Sequence, residues 1–372
     1  MTAGDARARV ERLAAAVAER ELDQLIVGDL VRPGDTGPDF GANLRWLSGF
    51  TGTSGLAVIG PQARIFITDF RYVERAEHEV GDALEHRRAE SRLIPELAGQ
   101  LEGRVGYDDA ATSVANLRKL EESLAERGGG VELVPASGLV ERLRRVKDEG
   151  EQRAMAEAAR LADQVYEDIA AQGLVGRRER DVALTAAARI RELGGEPAFS
   201  AIVAAGPNGS APHAEPSDRE IAAGELVVWD MGARVDGYCS DCTRTFAAGE
   251  PDTEARDVYE LVRSAQAAGL DGVRAGIGGA EADEIAREVI KAGGHGEEFG
   301  HGLGHGVGLE IHEAPRLAPR SEDQLLEGDA VTVEPGVYVP GRFGVRIEDL
   351  VIVTADGHHN LSSLPKELRV VD

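Results

Sequence analysis

The order of helical and strand-like segments changes near residue 140, and this change limits what the chain can fold into. Before it, helical stretches alternate with short apolar runs, as in the sheets of α/β domains. These runs are residues 24–28, 55–59, 64–68, 105–107 and 131–134. After it, the order is helix, helix and then strands, and this order occurs twice. We therefore predict an α/β domain at residues 1–140 and an α+β domain at residues 141–372.

Hydrophobic periodicity also predicts the individual elements. In the first domain we expect helices at residues 6–20, 72–86 and 115–127. In the second domain we expect helices at residues 149–171, 179–193, 254–275 and 281–292. Its predicted strands are residues 200–204, 226–231, 330–334, 336–339 and 344–354. A short basic stretch with Arg142, Arg144, Arg145 and Lys147 lies at the predicted boundary.

The composition is that of an acidic globular protein, with a formal net charge of −25. This charge disfavours nucleic acids and anionic membranes as partners, because both are themselves negative. The charged N-terminal segment lacks the apolar core of a signal peptide, and no stretch has the apolar length needed to span a bilayer. We therefore expect a cytoplasmic protein.

The two cysteines of the chain, Cys239 and Cys242, are spaced as Cys-x-x-Cys. A structural zinc site needs four ligands and usually a second cysteine pair, which this chain lacks. A thioredoxin-type redox pair lies at the start of a helix, whereas strand-forming residues surround this pair. We therefore interpret both cysteines as half-buried thiols in a strand and expect the aspartate between them, Asp241, to be the functional residue.

Asp241 is connected to a second carboxylate by a predicted hairpin. The apolar strand Val-Val-Trp-Asp-Met-Gly carries Asp230, and an Asp-Gly pair typical of a hairpin turn follows it. Depending on the register, Asp230 lies opposite Thr243 or opposite Asp241, and in both registers the two carboxylates share a face. Two exposed aspartates are the alternative, which the flanking apolar residues disfavour. Close carboxylates repel each other, and a bound divalent cation would remove the repulsion.

Candidate ligands also occur downstream. His301, His305 and His312 lie among five glycines, and neutral imidazole is a ready metal ligand, although a single histidine is more often structural. Glu334 ends an apolar strand. Glu348 lies inside another strand, where a glutamate is unusual unless it is paired or bound to metal. A surface ion pair of Glu348 with the nearby arginine at position 346 is the alternative.

Four carboxylates and an imidazole make an oxygen-rich set of ligands. Such a set suits two hard or borderline divalent ions, such as manganese, better than a metal that prefers thiolates. Two ions held close together would activate a water molecule for hydrolysis. The residues themselves therefore indicate hydrolytic chemistry.

These motifs, taken in order, resemble those of the pita-bread metallopeptidases, specifically the Xaa-Pro peptidases aminopeptidase P and prolidase. The motifs are Trp-Asp-Met-Gly, Ser-Asp-Cys-Thr-Arg-Thr, Gly-His-Gly-Val-Gly, Val-Glu-Pro-Gly and Arg-Ile-Glu-Asp. Residues 47–55 and 68–72 are similar to the N-terminal domain of bacterial members. The resemblance implies an α/β creatinase-like N-terminal domain followed by an α+β pita-bread catalytic domain.

The resemblance also implies a role for each candidate residue. The implied metal ligands are Asp230, Asp241, His305, Glu334 and Glu348. Asp241 and Glu348 would bridge two ions. Manganese is the expected metal, with cobalt or zinc as alternatives. Glu334 would in addition carry a proton to the leaving amine.

Four further residues match positions around the substrate in the same family. His213 would stand near the scissile bond, where it stabilises the oxyanion or holds the peptide. His301 and His312 would line the substrate pocket, and Arg346 would orient the acidic ligands. Cys242 would serve only in packing.

The function that the resemblance implies is hydrolysis of the bond before proline, with release of the N-terminal residue, as in aminopeptidase P. A prolidase restricted to Xaa-Pro dipeptides is the first alternative. A non-catalytic pita-bread binding protein and a metal-free creatinase-like enzyme are disfavoured, because all five ligand positions are filled. The resemblance further implies proline-containing peptides as substrates and a homodimer.

Overall fold

The computed structural model describes residues 3–31 and 40–372. The chain forms two units, Met1–Arg144 and Arg145–Asp372. Among the described residues, none of the helices combines the length and the apolar character needed to cross a membrane.

The apolar runs of the first unit pair into one six-stranded sheet whose core is covered by helices. Its strands are β1 (Gln24–Val27), β2 (Gly55–Ile59), β3 (Arg64–Thr68), β4 (Glu85–Arg88), β5 (Gly103–Tyr107) and β6 (Val131–Pro135). They lie in the order β4-β3-β2-β1-β5-β6, and β1 is antiparallel to β2 but parallel to β5. The helices are α1 (Ala3–Glu19), α2 (Ala42–Ser48), α3 (Val73–Glu79), α4 (Leu93–Ala98), α5 (Val114–Glu126) and α6 (Leu139–Arg145).

The prediction of one helix at residues 72–86 is wrong in its second half. α3 ends at Glu79, because Gly81 adopts a φ of 59° and its N–H bonds to the carbonyl of Ala76 at 3.3 Å. A glycine in this left-handed conformation ends many helices. The chain then forms β4, which pairs in parallel with β3. The other predicted helices and strands of this unit are present, with slightly different ends.

The second unit repeats the order of two helices followed by strands. Its helices are α7 (Glu149–Ala170), α8 (Glu179–Glu192), α9 (Thr253–Gly272) and α10 (Gly279–Ala292), with a 3-10 helix at Gly206–Ser210. The strands after α8 are β7 (Glu196–Pro197), β8 (Ile202–Ala205), β9 (Glu225–Met231), β10 (Ala233–Val235), β11 (Tyr238–Cys239) and β12 (Cys242–Ala248). Those after α10 are β13 (Gly304–Gly306), β14 (Glu313–Leu317), β15 (Ala330–Val333), β16 (Gly336–Val339), β17 (Phe343–Arg346), β18 (Asp349–Val353), β19 (His358–Asn360) and β20 (Val370–Val371).

Each helix pair of this unit covers its own sheet. α7 and α8 pack on the sheet β20-β12-β9-β8, where Tyr166, Trp229 and Phe246 form an aromatic cluster. α9 and α10 pack against the sheet β14-β13-β15-β18-β19.

The predicted hairpin between β9 and β12 is present, and its register is now fixed. Asp236 and Gly237 have φ values of 49° and 85°, the two positive angles of a type I′ turn. Asp230 pairs with Thr243, so the register that places it opposite Asp241 is excluded. Asp241 lies between β11 and β12, one residue before the paired segment begins.

The predicted continuous strand at residues 344–354 is wrong. β17 pairs with β16, whereas β18 pairs with β15 in a different sheet. The break occurs at Ile347 and Glu348, where the N–H of Glu348 bonds to the carbonyl of Thr243 at 3.1 Å. At this break the chain leaves the pair β16–β17, contacts β12, and then joins the sheet that contains β15.

Candidate metal centre

All nine candidate site residues from the sequence line one cavity of the second unit, with a volume of about 340 Å³. They are His213, Asp230, Asp241, His301, His305, His312, Glu334, Arg346 and Glu348. The hairpin β9–β12 supplies the two aspartates, and β13 supplies one histidine. The two glutamates follow β15 and β17, so the cavity collects side chains from strand ends of separate sheets.

Three of these residues form the tightest group. Ligand atoms of Asp241, His305 and Glu348 all lie within 4.8 Å of one another. Nε2 of His305 lies 3.6 Å from a carboxylate oxygen of Asp241 and 3.4 Å from Oε1 of Glu334. Asp230 lines the same cavity from the adjacent strand.

The His305 ring is oriented for ligation through Nε2. Its Nδ1 lies 3.0 Å from the carbonyl oxygen of Gly306, so Nδ1 carries the proton and donates it there. Burial lowers the pKa of His305 to about 3, which keeps the ring neutral near pH 7. The lone pair of Nε2 is therefore available on the side where the carboxylates lie.

The carboxylates are difficult to ionise together without a cation. Burial, and then the charges of Asp230 and Glu334, raise the pKa of Asp241 well above its ordinary value. Burial raises the pKa of Glu348 in the same way and that of Glu334 to about 7. Oδ1 of Asp230 and Oε1 of Glu348 are buried and lack a hydrogen-bond partner among the described residues. Unpartnered buried oxygens beside a neutral imidazole fit divalent cations.

Arg346 connects two of the acidic side chains. Its Nη2 donates to Asp230 at 2.7 Å, and its Nε donates to Oγ1 of Thr243 at 3.0 Å. That hydroxyl in turn donates to Oε2 of Glu348 at 2.7 Å. The alternative of a surface pair between Arg346 and Glu348 is wrong, because both side chains are buried and the arginine pairs with Asp230.

Sequence reasoning missed the hydroxyl groups that support this site. Thr243 is one, and Thr332 is another, whose Oγ1 accepts from the N–H of His305 at 3.0 Å and lies 3.2 Å from Oε1 of Glu334. The third is Tyr338, whose hydroxyl accepts from Arg346 at 2.8 Å and lies 2.9 Å from Nε2 of His301. The hairpin register could have identified Thr243, because it stands opposite Asp230.

The cavity also has an apolar part. Phe199, Ile202, Pro212 and Ile311 line it beside the non-ligand histidines. Burial lowers the pKa of His301 to about 4, so this ring is neutral near pH 7. The rings of His305 and His312 have centroids 4.4 Å apart. A small apolar group of a substrate therefore fits beside the neutral imidazole of His301.

Arg316 is a further cavity residue that the sequence did not single out. It pairs with His305 across β13 and β14, which places both on the cavity side of this sheet. Among the described residues, its guanidinium makes neither a hydrogen bond nor an ion pair. Its positive charge lowers the pKa of both His305 and Glu334. An anionic group of a substrate could pair with this guanidinium.

The two cysteines lie outside the cavity. Neither forms a disulfide and both are fully buried, so the expectation of half-buried thiols is corrected to complete burial. Cys242 packs with the aromatic cluster under α7, and its Sγ lies 3.6 Å from the carbonyl oxygen of Glu348. Burial raises the pKa of this thiol well above its ordinary value.

Comparison with known proteins identifies two matching families. The model of Metallopeptidase family M24 matches residues 153–355, and that of the Creatinase/Prolidase N-terminal domain matches residues 9–146. An Xaa-Pro dipeptidase of Pyrococcus furiosus is 32% identical over 97% of this chain and 99% of its own length.

Solved structures are similar over the whole length. An Xaa-Pro dipeptidase from Bacillus anthracis has a TM-score of 0.91 at 38% identity and covers 98% of this chain and 100% of its own. An X-Pro aminopeptidase from Thermotoga maritima has a TM-score of 0.88 at 32% identity, with the same coverage of 98% and 100%.

Proposed function

Because the chain belongs to metallopeptidase family M24, we propose that it is a metal-dependent Xaa-Pro peptidase whose preferred substrates are dipeptides. Its fold is a creatinase-type N-terminal domain followed by a pita-bread catalytic domain. As a member of this family the chain is a hydrolase, and the Xaa-Pro preference is the part that we propose from its relatives.

The metal ligands that we propose are Asp230, Asp241, His305, Glu334 and Glu348. Their support is the group of ligand atoms within 4.8 Å and the unpartnered buried carboxylate oxygens. Manganese suits this oxygen-rich set, with cobalt or zinc as alternatives. Two bound cations would supply a Lewis acid for the scissile carbonyl and a water molecule acidic enough to act as nucleophile near pH 7.

The residues of the chain have separate tasks in this scheme. Glu334, whose Oε1 lies 3.4 Å from Nε2 of His305, would carry the proton to the leaving nitrogen. His213, which also lines the cavity, would hold the scissile peptide. Arg346 keeps Asp230 and, through Thr243, Glu348 in place. The bond before proline lacks an N–H, so a site built from imidazoles and apolar groups suits it.

The position and the charge of Arg316 favour dipeptides as substrates. Arg316 lines the cavity, and among the described residues its guanidinium has no partner, so we infer that it binds the carboxylate of an Xaa-Pro dipeptide. A longer peptide has a neutral amide at that position and gains no charge-assisted hydrogen bond. The relatives named as Xaa-Pro dipeptidases agree with this preference.

An aminopeptidase that accepts longer Xaa-Pro peptides is the second candidate. The similar X-Pro aminopeptidase of Thermotoga maritima favours it, because that structure covers the same length of chain. The homodimer, which the resemblance implies, and the cytoplasmic location, which the charged N-terminal segment indicates, stay predictions.

The change Arg316→Met tests the dipeptide preference. Losing a hydrogen bond to a charged group costs about 1.5–3 kcal/mol, so we expect KM for an Xaa-Pro dipeptide to rise by roughly 10- to 100-fold. Turnover of an Xaa-Pro-Xaa-Xaa peptide should change little. Steady-state kinetics with both peptides measure the two effects.

The matched control is Arg320→Met, which removes an exposed arginine of the same segment that does not line the cavity. It should leave both substrates unaffected. A wild-type enzyme that cleaves the longer peptide as well as the dipeptide, with no effect of Arg316→Met, would establish the aminopeptidase instead.

A further inference from the structure

Glu179 is a buried carboxylate that has no part in the site described above. It lies in the first turn of α8 and is 0% exposed. Among the described residues, no basic side chain forms an ion pair with it. A buried carboxylate without a cation is costly unless hydrogen bonds compensate it. Its presence therefore calls for a specific set of donors.

Within the described part of the chain, all donors to the carboxylate of Glu179 come from one segment, residues 205–217. The N–H of Ala205 donates to Oε1 at 2.8 Å, and the side-chain amide of Asn208 donates to both oxygens at 3.1 and 2.9 Å. Ser217 donates to Oε2 through its N–H at 3.1 Å and its Oγ at 2.6 Å. The carboxylate thus joins the beginning and the end of the same loop.

This loop carries two residues of the cavity, Pro212 and His213. The carbonyl of Pro212 accepts from Nη1 of Arg346 at 3.2 Å, which holds the middle of the loop. His213 itself is exposed. Among the described residues, its ring makes no hydrogen bond. The position of His213 therefore depends on how the loop is held at its two ends.

We propose that Glu179 is a positioning residue for the reaction, which acts by fixing the loop of residues 205–217 so that His213 faces the scissile bond. Glu179 does not touch the substrate. The role of His213 rests on the proposed function, whereas the anchoring of the loop rests on the contacts of Glu179 alone. The negative charge matters because it accepts from three residues at once.

The change Glu179→Gln tests this proposal. The amide keeps the shape of the side chain but replaces one acceptor by a donor, so the donors of Asn208 or Ser217 lose their partner. We expect amide hydrogen exchange to accelerate about tenfold or more within residues 205–217 and to stay unchanged elsewhere. Bound metal should equal that of the wild type.

Kinetics separate positioning from a general structural effect. Glu179→Gln should lower kcat/KM for an Xaa-Pro dipeptide about 10- to 100-fold. Combined with His213→Ala, it should cause no further loss, because both changes remove the same contribution. Asp181→Asn, an exposed carboxylate in the same helical turn, is the matched control and should behave as wild type. If Glu179→Gln fails to fold, Ser217→Ala can replace it. This variant removes one donor and should give a smaller effect in the same direction.

Two results would overturn the proposal. Unchanged exchange in residues 205–217 would refute the anchor, and additive losses in the double variant would refute an action through His213. A wild-type chain that cleaves no Xaa-Pro peptide would instead refute the proposed function, and the exchange experiment would still decide the anchor.

Discussion

Replacing Asp241 by asparagine should lower kcat/KM for Xaa-Pro hydrolysis by roughly 10³-fold or more, because a cation site is worth several kcal/mol of transition-state stabilisation. Asparagine has nearly the same shape but lacks the charge. Asp241 belongs to the group whose ligand atoms lie within 4.8 Å of one another. The fold should persist, because the metal-free site already has to keep its buried carboxylates partly protonated. Steady-state kinetics and circular dichroism measure the two quantities.

Cys242→Ser is the control for this variant. It changes the neighbouring residue, which packs under α7 and lies outside the cavity. We expect it to keep most of the activity. Asp241→Asn with turnover near that of the wild type would remove Asp241 from the site, and a comparable loss in Cys242→Ser would restore a role for the thiol.

Glu334→Gln should reduce kcat by about 10²- to 10⁴-fold, the range that general acid–base catalysis contributes. The amide can still approach a cation through its oxygen but cannot transfer a proton. Thr332 would remain in place as its hydrogen-bonding neighbour. The pH dependence of the residual activity should lose the ionisation that belongs to this carboxyl group. Residual activity that keeps the wild-type pH profile would assign the proton transfer to another residue.

The same variant should alter the stability of the metal-free protein in a defined direction. Burial raises the pKa of Glu334 from 4.5 to about 7, so its contribution to stability is full below about pH 4.5 and is lost as the pH rises through about 7. The melting temperature of the metal-free wild type should therefore fall over this interval. Glu334→Gln should show a smaller fall, because the glutamine does not titrate. An equal fall in both proteins would mean that Glu334 is not the group concerned.

Most helices and strands could be predicted from local signals. The long helices α7 and α9 begin where Asp148 and Asp252 cap them by accepting from backbone N–H groups, and each has one apolar face. The Asp-Gly pair defined the hairpin, since both residues take the positive φ of a type I′ turn. Gly81 was also a signal for the end of α3, and the predicted helix at residues 72–86 ignored it.

The strand break at Glu348 could not be predicted from local pattern. Residues 344–354 fit the pattern of a single strand. The chain changes sheets where Glu348 contacts Thr243, 105 residues earlier, and such a long-range contact has no local signal. Tyr338 was missed for a similar reason, because its partners His301 and Arg346 lie on other elements. Arg316 reaches the cavity only through the pairing of β13 with β14. These are tertiary contacts between separate elements, so the hydrophobic periodicity of the sequence does not predict them.

The candidate site itself followed from residue types at strand ends. A carboxylate or histidine at the end of an apolar strand is costly without a partner. Five such residues in order along the chain indicate that they bind a common group of metal ions. Their common cavity depends on how four sheets meet, which the sequence pattern does not determine. The resemblance to pita-bread peptidases supplied that arrangement.

The manganese content of the purified chain after equilibration with the ion and removal of the excess tests the central claim most directly. We expect about two ions per wild-type chain, since two cations suit the four carboxylates and one imidazole. Removing the ions with a chelator should abolish hydrolysis of an Xaa-Pro dipeptide, and manganese should restore it. A chain that binds no divalent metal, or that keeps full activity after complete removal of the metal, would contradict this assignment of the site.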